Sequence, residues 1–223
     1  MIETLKWDSA FFNCKIGRYE ATSLFNIQEF EDESKGFDLI YVFSKSPLKI
    51  PATYKGEKVT YSKLTDHKAI NNNTTRFFSP DIDNYNDLLA LVYLSGHESR
   101  FFKDPFFGEE SFKTLYEAWI NKNLKNDNEC VIVYPIAEKI AGFISYRFNN
   151  KNAVIDLLAV SNEHQGKGIG KQLLFAVEQN LEPGLLLSVS TQGANKKAKA
   201  FYEKIGFTLT EKLYIYHYVP NPL

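Results

Sequence analysis

Hydrophobic and polar positions divide the chain into segments typical of strands and segments typical of helices. The apolar run at residues 37–43 (FDLIYVF) predicts a buried strand, and the alternation at 58–64 (KVTYSKL) predicts another strand. The polar run at 71–75 (NNNTT) then predicts a loop and a domain boundary. We therefore expect a small N-terminal α/β region over residues 1–66 and a second domain over residues 67–223.

The second domain has a longer series of predicted elements. In order, they are two helices, three strands, a helix, a strand, a helix and a final pair of strands, at residues 86–96, 109–125, 130–134, 141–148, 153–160, 170–181, 185–191, 195–205 and 207–218. Short polar connections between the first three strands are typical of antiparallel hairpins. This order predicts an α/β fold of the mixed α+β type, with helices against a mixed sheet. The loop between the first two helices, residues 98–107, is rich in phenylalanine.

Composition and charge exclude several classes of protein. Lys and Arg number 26 against 27 Asp and Glu, so we expect no nucleic-acid partner. The two cysteines and four histidines lack metal-ligand spacing, so we expect no metal. The longest apolar run, residues 88–94, is too short for membrane insertion, and the N-terminus does not resemble a signal peptide. A cytoplasmic location is therefore expected.

A glycine-rich segment at residues 159–171 (AVSNEHQGKGIGK) joins a predicted strand to an amphipathic helix. Glycines let the backbone approach a ligand closely, and N–H groups at a helix N-terminus bind anions. The segment lacks the Walker A pattern and the dinucleotide-binding pattern, because Lys171 stands where each requires glycine. It fits the spacing Gln165-x-x-Gly168-x-Gly170. An ordinary turn that closes a strand is the alternative interpretation.

A second motif lies at residues 195–207 (NKKAKAFYEKIGF). Asn195 is a good N-cap, and Gly206 is a good C-terminal stop for the helix between them. With the glycine-rich segment, this motif resembles the GNAT acetyltransferase superfamily over about residues 70–218. The resemblance implies a GNAT fold, with a central, mostly antiparallel, splayed sheet flanked by helices. It also implies acetyl-CoA as cosubstrate.

The resemblance assigns roles to particular residues. The loop would hold the pyrophosphate, the end of the preceding strand would pair with the pantetheine arm, and Asn195 would bond that arm. The implied cofactor-binding residues are Leu158, Ala159, Val160, Gln165, Gly166, Lys167, Gly168, Ile169, Gly170, Lys171 and Asn195. Tyr202 would lie at the sulfur.

Three short segments sharpen the resemblance. Residues 5–12 (LKWDSAFF), 99–101 (SRF) and 115–120 (LYEAWI) are similar to the TDP-fucosamine acetyltransferase family, which acetylates the amino group of a TDP-linked 4-amino-4,6-dideoxygalactose. The sequence departs from that family in keeping the full glycine loop. The resemblance implies a nucleotide-linked amino sugar as the small-molecule acceptor. A protein N-terminus, a peptide or a small amine is the alternative acceptor, and a binding module without turnover is a third hypothesis.

Two residues are candidates for the chemistry of acetyl transfer. Tyr202 can assist the departing thiolate, although full proton transfer from a phenol to a thiolate is uphill by roughly 2 kcal/mol. Its alternative role is aromatic packing. Asp156 is the candidate general base, and its alternative is a solvated strand position.

The acceptor pocket is expected from the helix–loop–helix segment at residues 86–125. In GNAT folds this segment crosses the open end of the splayed sheet. Arg100 can pair with a sugar-nucleotide diphosphate, and Phe101 with its neighbouring phenylalanines can pack against the sugar or the base. Alternatively, the loop is a hydrophobic plug or a dimer contact, so a homodimer is left open.

Overall fold

A computed structural model describes residues 1–66 and 74–220 of the chain. Their α-helices are α1 (Lys6–Phe12), α2 (Ile27–Ser34), α3 (Tyr85–Gly96), α4 (Arg100–Lys103), α5 (Glu109–Asn123), α6 (Ile169–Gln179) and α7 (Lys196–Lys204). Their strands are β1 (Glu3–Thr4), β2 (Ile16–Ala21), β3 (Leu39–Ser44), β4 (Tyr54–Leu64), β5 (Arg76–Phe77), β6 (Glu129–Ile136), β7 (Lys139–Phe148), β8 (Asn152–Val160), β9 (Leu186–Gln192) and β10 (Thr208–Tyr218). Most of the predicted loop at 71–75 lies outside the described residues. No helix within the described ranges has the length and apolar character that a membrane span requires.

The strands form one sheet in the order β1-β2-β3-β10-β4-β9-β8-β7-β6-β5. The pairs β2–β3 and β8–β9 are parallel, and the other pairs are antiparallel. The predicted mixed, mostly antiparallel sheet is confirmed. The C-terminal strand β10 lies between β3 and β4, so strands from both ends of the chain share this sheet.

The sheet splays where β8 and β9 separate. Their parallel ladder ends at the pair Ile155 and Val189. Beyond it, β8 pairs with β7 and β9 pairs with β4. The register between β7 and β8 shifts at this point, which leaves Asp156 as an extra residue. Such a bulge bends a strand and increases its twist, so it turns the end of β8 away from β9 and opens a cleft.

Two apolar layers cover the sheet. In one layer, α3 and α5 pack over β7 and β8. Four apolar residues along one side of α5 are buried, namely Phe112, Leu115, Tyr116 and Ile120. In the other layer, Leu173 and Val177 of α6 pack with Tyr202 of α7 in a second cluster. The helices predicted from periodicity are therefore present, and they flank the sheet.

Two predicted elements differ from the structure. The segment predicted as a loop at 98–107 contains α4, because the Ser99 hydroxyl caps that helix and accepts from the Phe102 N–H at 3.2 Å. The predicted final pair of strands is one strand, β10, with a register shift between Leu209 and Glu211. A bulge absorbs this irregularity without a turn, so the strand continues along β4 and then β3.

Candidate active site

The glycine loop forms an open cradle of backbone N–H groups before α6. Gly166 and Gly168 have φ values of 78° and 82°, and a Cβ at either position would point into open space. Within the described residues, the backbone N–H groups of residues 166–171 donate to no backbone carbonyl outside α6. The N–H groups in the first turn of α6 also have no partner within the helix, because an α-helix leaves its first N–H groups unpaired. Free N–H groups at a helix N-terminus suit an anionic phosphate group.

Side chains within the loop hold its shape. The Gln165 Nε2 group donates to the Val160 carbonyl at 3.2 Å and to Asn162 Oδ1 at 3.1 Å. Gln165 is thus turned back onto the loop, and its contribution to the cradle is to brace it. Lys167 and Lys171 are exposed and add positive charge beside the N–H groups.

Helix α6 is fixed close to the sheet and to α7. Ile169 is buried, and a Cβ on Gly142 of β7 would lie only 3.0 Å from its side chain. A Cβ on Gly170 would lie 3.1 Å from the Phe201 ring of α7. Gly170 therefore permits close packing of α7 against the start of α6, whereas Gly168 serves the left-handed turn.

The second motif places two predicted residues on α7. Asn195 caps the helix, and its Oδ1 accepts from the Ala198 N–H at 3.0 Å, as its position predicts. Tyr202 is 5% exposed and packs against the rings of Tyr61 and Phe207. Burial raises the pKa of the Tyr202 hydroxyl well above its ordinary value, so the group stays neutral and can donate a hydrogen bond.

The end of β8 provides a backbone edge on the cleft. Leu158, Ala159 and Val160 pair with β7 on one side, at Ile144, Phe143 and Gly142. On their other side the ladder to β9 has already ended. An extended ligand can therefore pair with this edge as an additional strand would.

A cavity of about 380 Å³ opens on the other side of the cleft. Its lining includes Ser190, which directly follows the last β9 residue paired with β8, so the cavity lies next to the point where the two strands separate. It is lined by Arg18, Phe43, Lys58, Ser99, Arg100, Phe101, Tyr116, Trp119, Ser190, Thr191, Gln192, Leu213 and Ile215. None of these lining residues is acidic, and three are cationic. The cavity thus offers an anionic ligand positive charge together with aromatic surface.

Both predicted acceptor residues, Arg100 and Phe101, line this cavity. The Arg100 guanidinium lies 4.3 Å from the Tyr41 ring centre and 4.6 Å from that of Phe101. Cation–π contacts of this kind hold a guanidinium against aromatic rings. Phe101 and Phe107 both belong to the buried core, and of the two only Phe101 lines the cavity.

The N-terminal strands also line the cavity, a contribution that the sequence patterns do not predict. Arg18 of β2 lies over the Phe43 ring of β3, with 4.8 Å between the guanidinium carbon and the ring centre. Lys58 of β4 is opposite Gln192 of β9, and burial lowers its pKa below the ordinary value. Lys58, a polar position on a predicted strand, was the available signal, whereas no strand was predicted at Arg18. The strand pairing that brings the two residues together is long-range.

Asp156 is held by two neighbours at the splay point. It forms an ion pair with Arg147 and accepts from Asn123 Nδ2 at 3.2 Å. Burial raises the pKa of Asp156, and the positive charge of Arg147 opposes that rise. Asn123 follows the cavity residue Trp119 by one turn of α5, so Asp156 lies about one helical turn along α5 from the cavity.

The splayed sheet, the N–H cradle and the helix with the second motif define a class of acyltransferase domain. The sequence profile of the Acetyltransferase (GNAT) domain family matches residues 101–219, more than half of the chain. The chain therefore belongs to the GNAT acetyltransferase domain family, and the superfamily predicted from the two motifs is confirmed.

One relative is similar to this chain over part of its length. The spore coat polysaccharide biosynthesis protein SpsD of Bacillus subtilis (strain 168) is 26% identical over 164 residues, which cover 71% of this chain and 57% of SpsD. The chain thus spans less than two thirds of that relative.

Solved structures extend the likeness of fold beyond the family match. A functionally unknown conserved protein from Staphylococcus epidermidis ATCC 12228 has a TM-score of 0.67 at 16% identity. The match covers 94% of this chain and 85% of the chain from S. epidermidis. A GCN5-related N-acetyltransferase from Sphaerobacter thermophilus has a TM-score of 0.52 at 14% identity, covering 88% and 65%. At these identities the likeness concerns the fold alone.

Proposed function

We propose that this protein transfers the acetyl group of acetyl-CoA to the amino group of a nucleotide-linked amino sugar, of the TDP-4-amino-4,6-dideoxyhexose type. The observation that carries the proposal is the cationic, aromatic cavity where β8 and β9 separate. A diphosphate presents an anion to Arg100, and a sugar and a base present faces to the aromatic rings. The relationship to a polysaccharide biosynthesis protein also supports a sugar acceptor. A cytoplasmic location is part of the proposal.

Residues on the cofactor side of the cleft fit coenzyme A. The N–H groups of residues 166–171 would hold the pyrophosphate, with Lys167 and Lys171 beside them. The free edge of residues 158–160 would pair with the pantetheine arm, and Asn195 would donate to that arm from its amide nitrogen. The cosubstrate supplies an acetyl group activated as a thioester.

Tyr202 is proposed to assist the departing sulfur. Its raised pKa makes full proton transfer less favourable than the ordinary values suggest, so its hydroxyl acts by donating a hydrogen bond. The proton itself can come from solvent.

Asp156 is proposed as the base that accepts the proton of the amine, through a water molecule. Its position one helical turn from the cavity residue Trp119 leaves room for such a relay. The charge of Arg147 opposes the rise in the pKa of Asp156 and so favours the carboxylate, which is the form that accepts a proton.

The charge of the cavity distinguishes the candidate acceptors. Arg18, Lys58 and Arg100 repel a polyamine or another cationic amine, whereas a nucleoside diphosphate neutralises them. The purified protein is to be incubated with acetyl-CoA and a panel of TDP-amino sugars, polyamines and peptides. Fastest acetylation of a TDP-amino sugar is expected, and faster acetylation of a peptide or a free amine would overturn the proposed acceptor.

Arg100→Ala tests the cavity directly. Hydrogen bonds to charged groups contribute roughly 1.5–3 kcal/mol, so KM for the TDP-amino sugar should rise by about 10- to 150-fold. KM for acetyl-CoA should stay the same, because Arg100 lies across the cleft from the glycine loop. Lys103→Ala is the matched control, since Lys103 is on the same helix, pairs with Glu98 and does not line the cavity. Equal KM values for Arg100→Ala and the unaltered protein would remove Arg100 from the acceptor site.

A further inference from the structure

A buried polar chain lies behind the acceptor cavity and ends at Arg100. The side chains of His217 on β10 and Asp104 after α4 are both completely buried, at 0% exposure. His217 Nδ1 is hydrogen-bonded to Asp104 Oδ2. On the other side of the ring, His217 Nε2 lies 3.3 Å from Arg100 Nη1.

The chemistry of the three groups fixes where the protons lie. A guanidinium has only donors, so His217 Nε2 must accept from Arg100 and carries no proton. The proton of the ring is therefore on Nδ1, from which it is donated to Asp104. Burial lowers the pKa of His217, so the ring is neutral, although Asp104 opposes this shift.

The carboxylate that selects this tautomer is itself held in place. Asp104 Oδ1 accepts from the Phe106 N–H at 3.0 Å, and Oδ2 accepts from the Thr53 hydroxyl at 3.2 Å. Burial acts to raise the pKa of Asp104, but the hydrogen bonds of His217 and the Phe106 N–H bring it below the ordinary value. Asp104 is therefore ionised and accepts only.

We propose that His217, kept in its Nδ1-protonated form by Asp104, is a positioning residue that sets the orientation of Arg100 for acceptor binding. The Arg100 guanidinium contacts the rings of Tyr41 and Phe101, which stand nearly perpendicular to each other at 86°, and such cation–π contacts do not fix the direction of its N–H bonds. The hydrogen bond from Arg100 Nη1 to His217 Nε2 fixes that direction, so the remaining N–H groups are turned toward the cavity that Arg100 lines. This inference rests on the proposed function, since it assumes that Arg100 binds an anionic part of the acceptor.

Two substitutions of His217 separate positioning from packing. In His217→Gln, the amide oxygen reaches the place of Nε2 and can still accept from Arg100. In His217→Asn, the amide nitrogen reaches the place of Nδ1 and keeps the bond to Asp104, but the side chain no longer places an acceptor where Nε2 was. Each variant loses one of the two hydrogen bonds, so the pair is matched.

The measurement is calorimetric binding of thymidine 5′-diphosphate, with coenzyme A as the internal control. His217→Asn should weaken binding of the diphosphate by about tenfold, whereas His217→Gln should stay within about threefold of the unaltered protein. Binding of coenzyme A should be unchanged in both. With the amino sugar as substrate, His217→Asn should raise KM and leave kcat unchanged. If His217 only packed the core, the two variants would weaken diphosphate binding to a similar extent, and retaining an acceptor at the place of Nε2 would make no difference.

Arg100→Ala is measured in parallel to separate this inference from the proposed function. If Arg100→Ala weakens diphosphate binding and His217→Asn does not, the positioning role is wrong and the proposed acceptor stands. If the unaltered protein does not bind the diphosphate, both proposals fail. If Arg100→Ala binds the diphosphate as well as the unaltered protein does, Arg100 does not belong to the acceptor site and this inference fails, whereas the proposed acceptor stands. Should the His217 variants not fold, ¹⁵N spectroscopy of the unaltered protein decides. A neutral ring protonated at Nδ1 is expected for His217, and a proton on Nε2 would overturn the inference.

Discussion

Alanine at Gly168 should weaken cofactor binding through backbone strain alone. Gly168 has φ 82°, and no atom lies within 4 Å of a Cβ built there, so the substitution creates no steric clash. An L-residue in the left-handed region costs about 1–2 kcal/mol. The loop is exposed, so the substituted loop can relax when empty and must regain the strained conformation to present its N–H groups. If the whole strain energy is subtracted from the free energy of binding, Kd for coenzyme A rises about 5- to 30-fold.

Isothermal calorimetry with coenzyme A measures this change, and thermal unfolding reports the stability of the same variants. Gly36→Ala is the matched control, because Gly36 has φ 87° and equally open surroundings but lies between α2 and β3. It should lower the melting temperature and leave Kd unchanged. Gly168→Asn should lose less affinity than Gly168→Ala, since asparagine tolerates the left-handed region. A Kd for Gly168→Ala within twofold of the unaltered protein would refute the reasoning.

Two further predictions concern the chemical step. Tyr202→Phe should lower kcat by about 10- to 150-fold, the loss of a hydrogen bond to a charged group, while Kd for acetyl-CoA is unchanged. A loss below threefold at saturating substrate would show that Tyr202 is a packing residue. Arg147→Ala should move the acid limb of the pH profile of kcat/KM to higher pH. The charge of Arg147 lowers the pKa of Asp156, and the base must be deprotonated to act. A limb that does not move would assign the base to another group.

The local structure of the glycine loop and of α7 could be predicted because its signals in the sequence are local. The glycine spacing, the N-cap at Asn195 and the helix predicted at residues 109–125 each depend on residues within a few turns of one another. Their structural counterparts are the left-handed Gly168, the capped start of α7 and the buried face of α5.

The acceptor side could not be predicted in the same way. Arg18, Lys58 and Arg100 belong to β2, β4 and α4, which meet only through the pairing of β10 and β9 with N-terminal strands. Strand periodicity gives the faces of a strand but not its partner. The bond between His217 and Asp104 likewise joins residues 113 positions apart.

The boundaries of the family match bear on how acceptor preference is encoded. The match covers residues 101–219, which include the glycine loop, the free edge of β8 and α7. All three cationic residues of the cavity precede residue 101. A relative that shares only the matched segment therefore shares the acyl-CoA side of the cleft without the charges proposed to select a diphosphate. Under the proposed function, the strands of the N-terminal region are thus part of the active site, because they supply the electrostatic half of acceptor recognition to a transferase cleft that the rest of the chain builds.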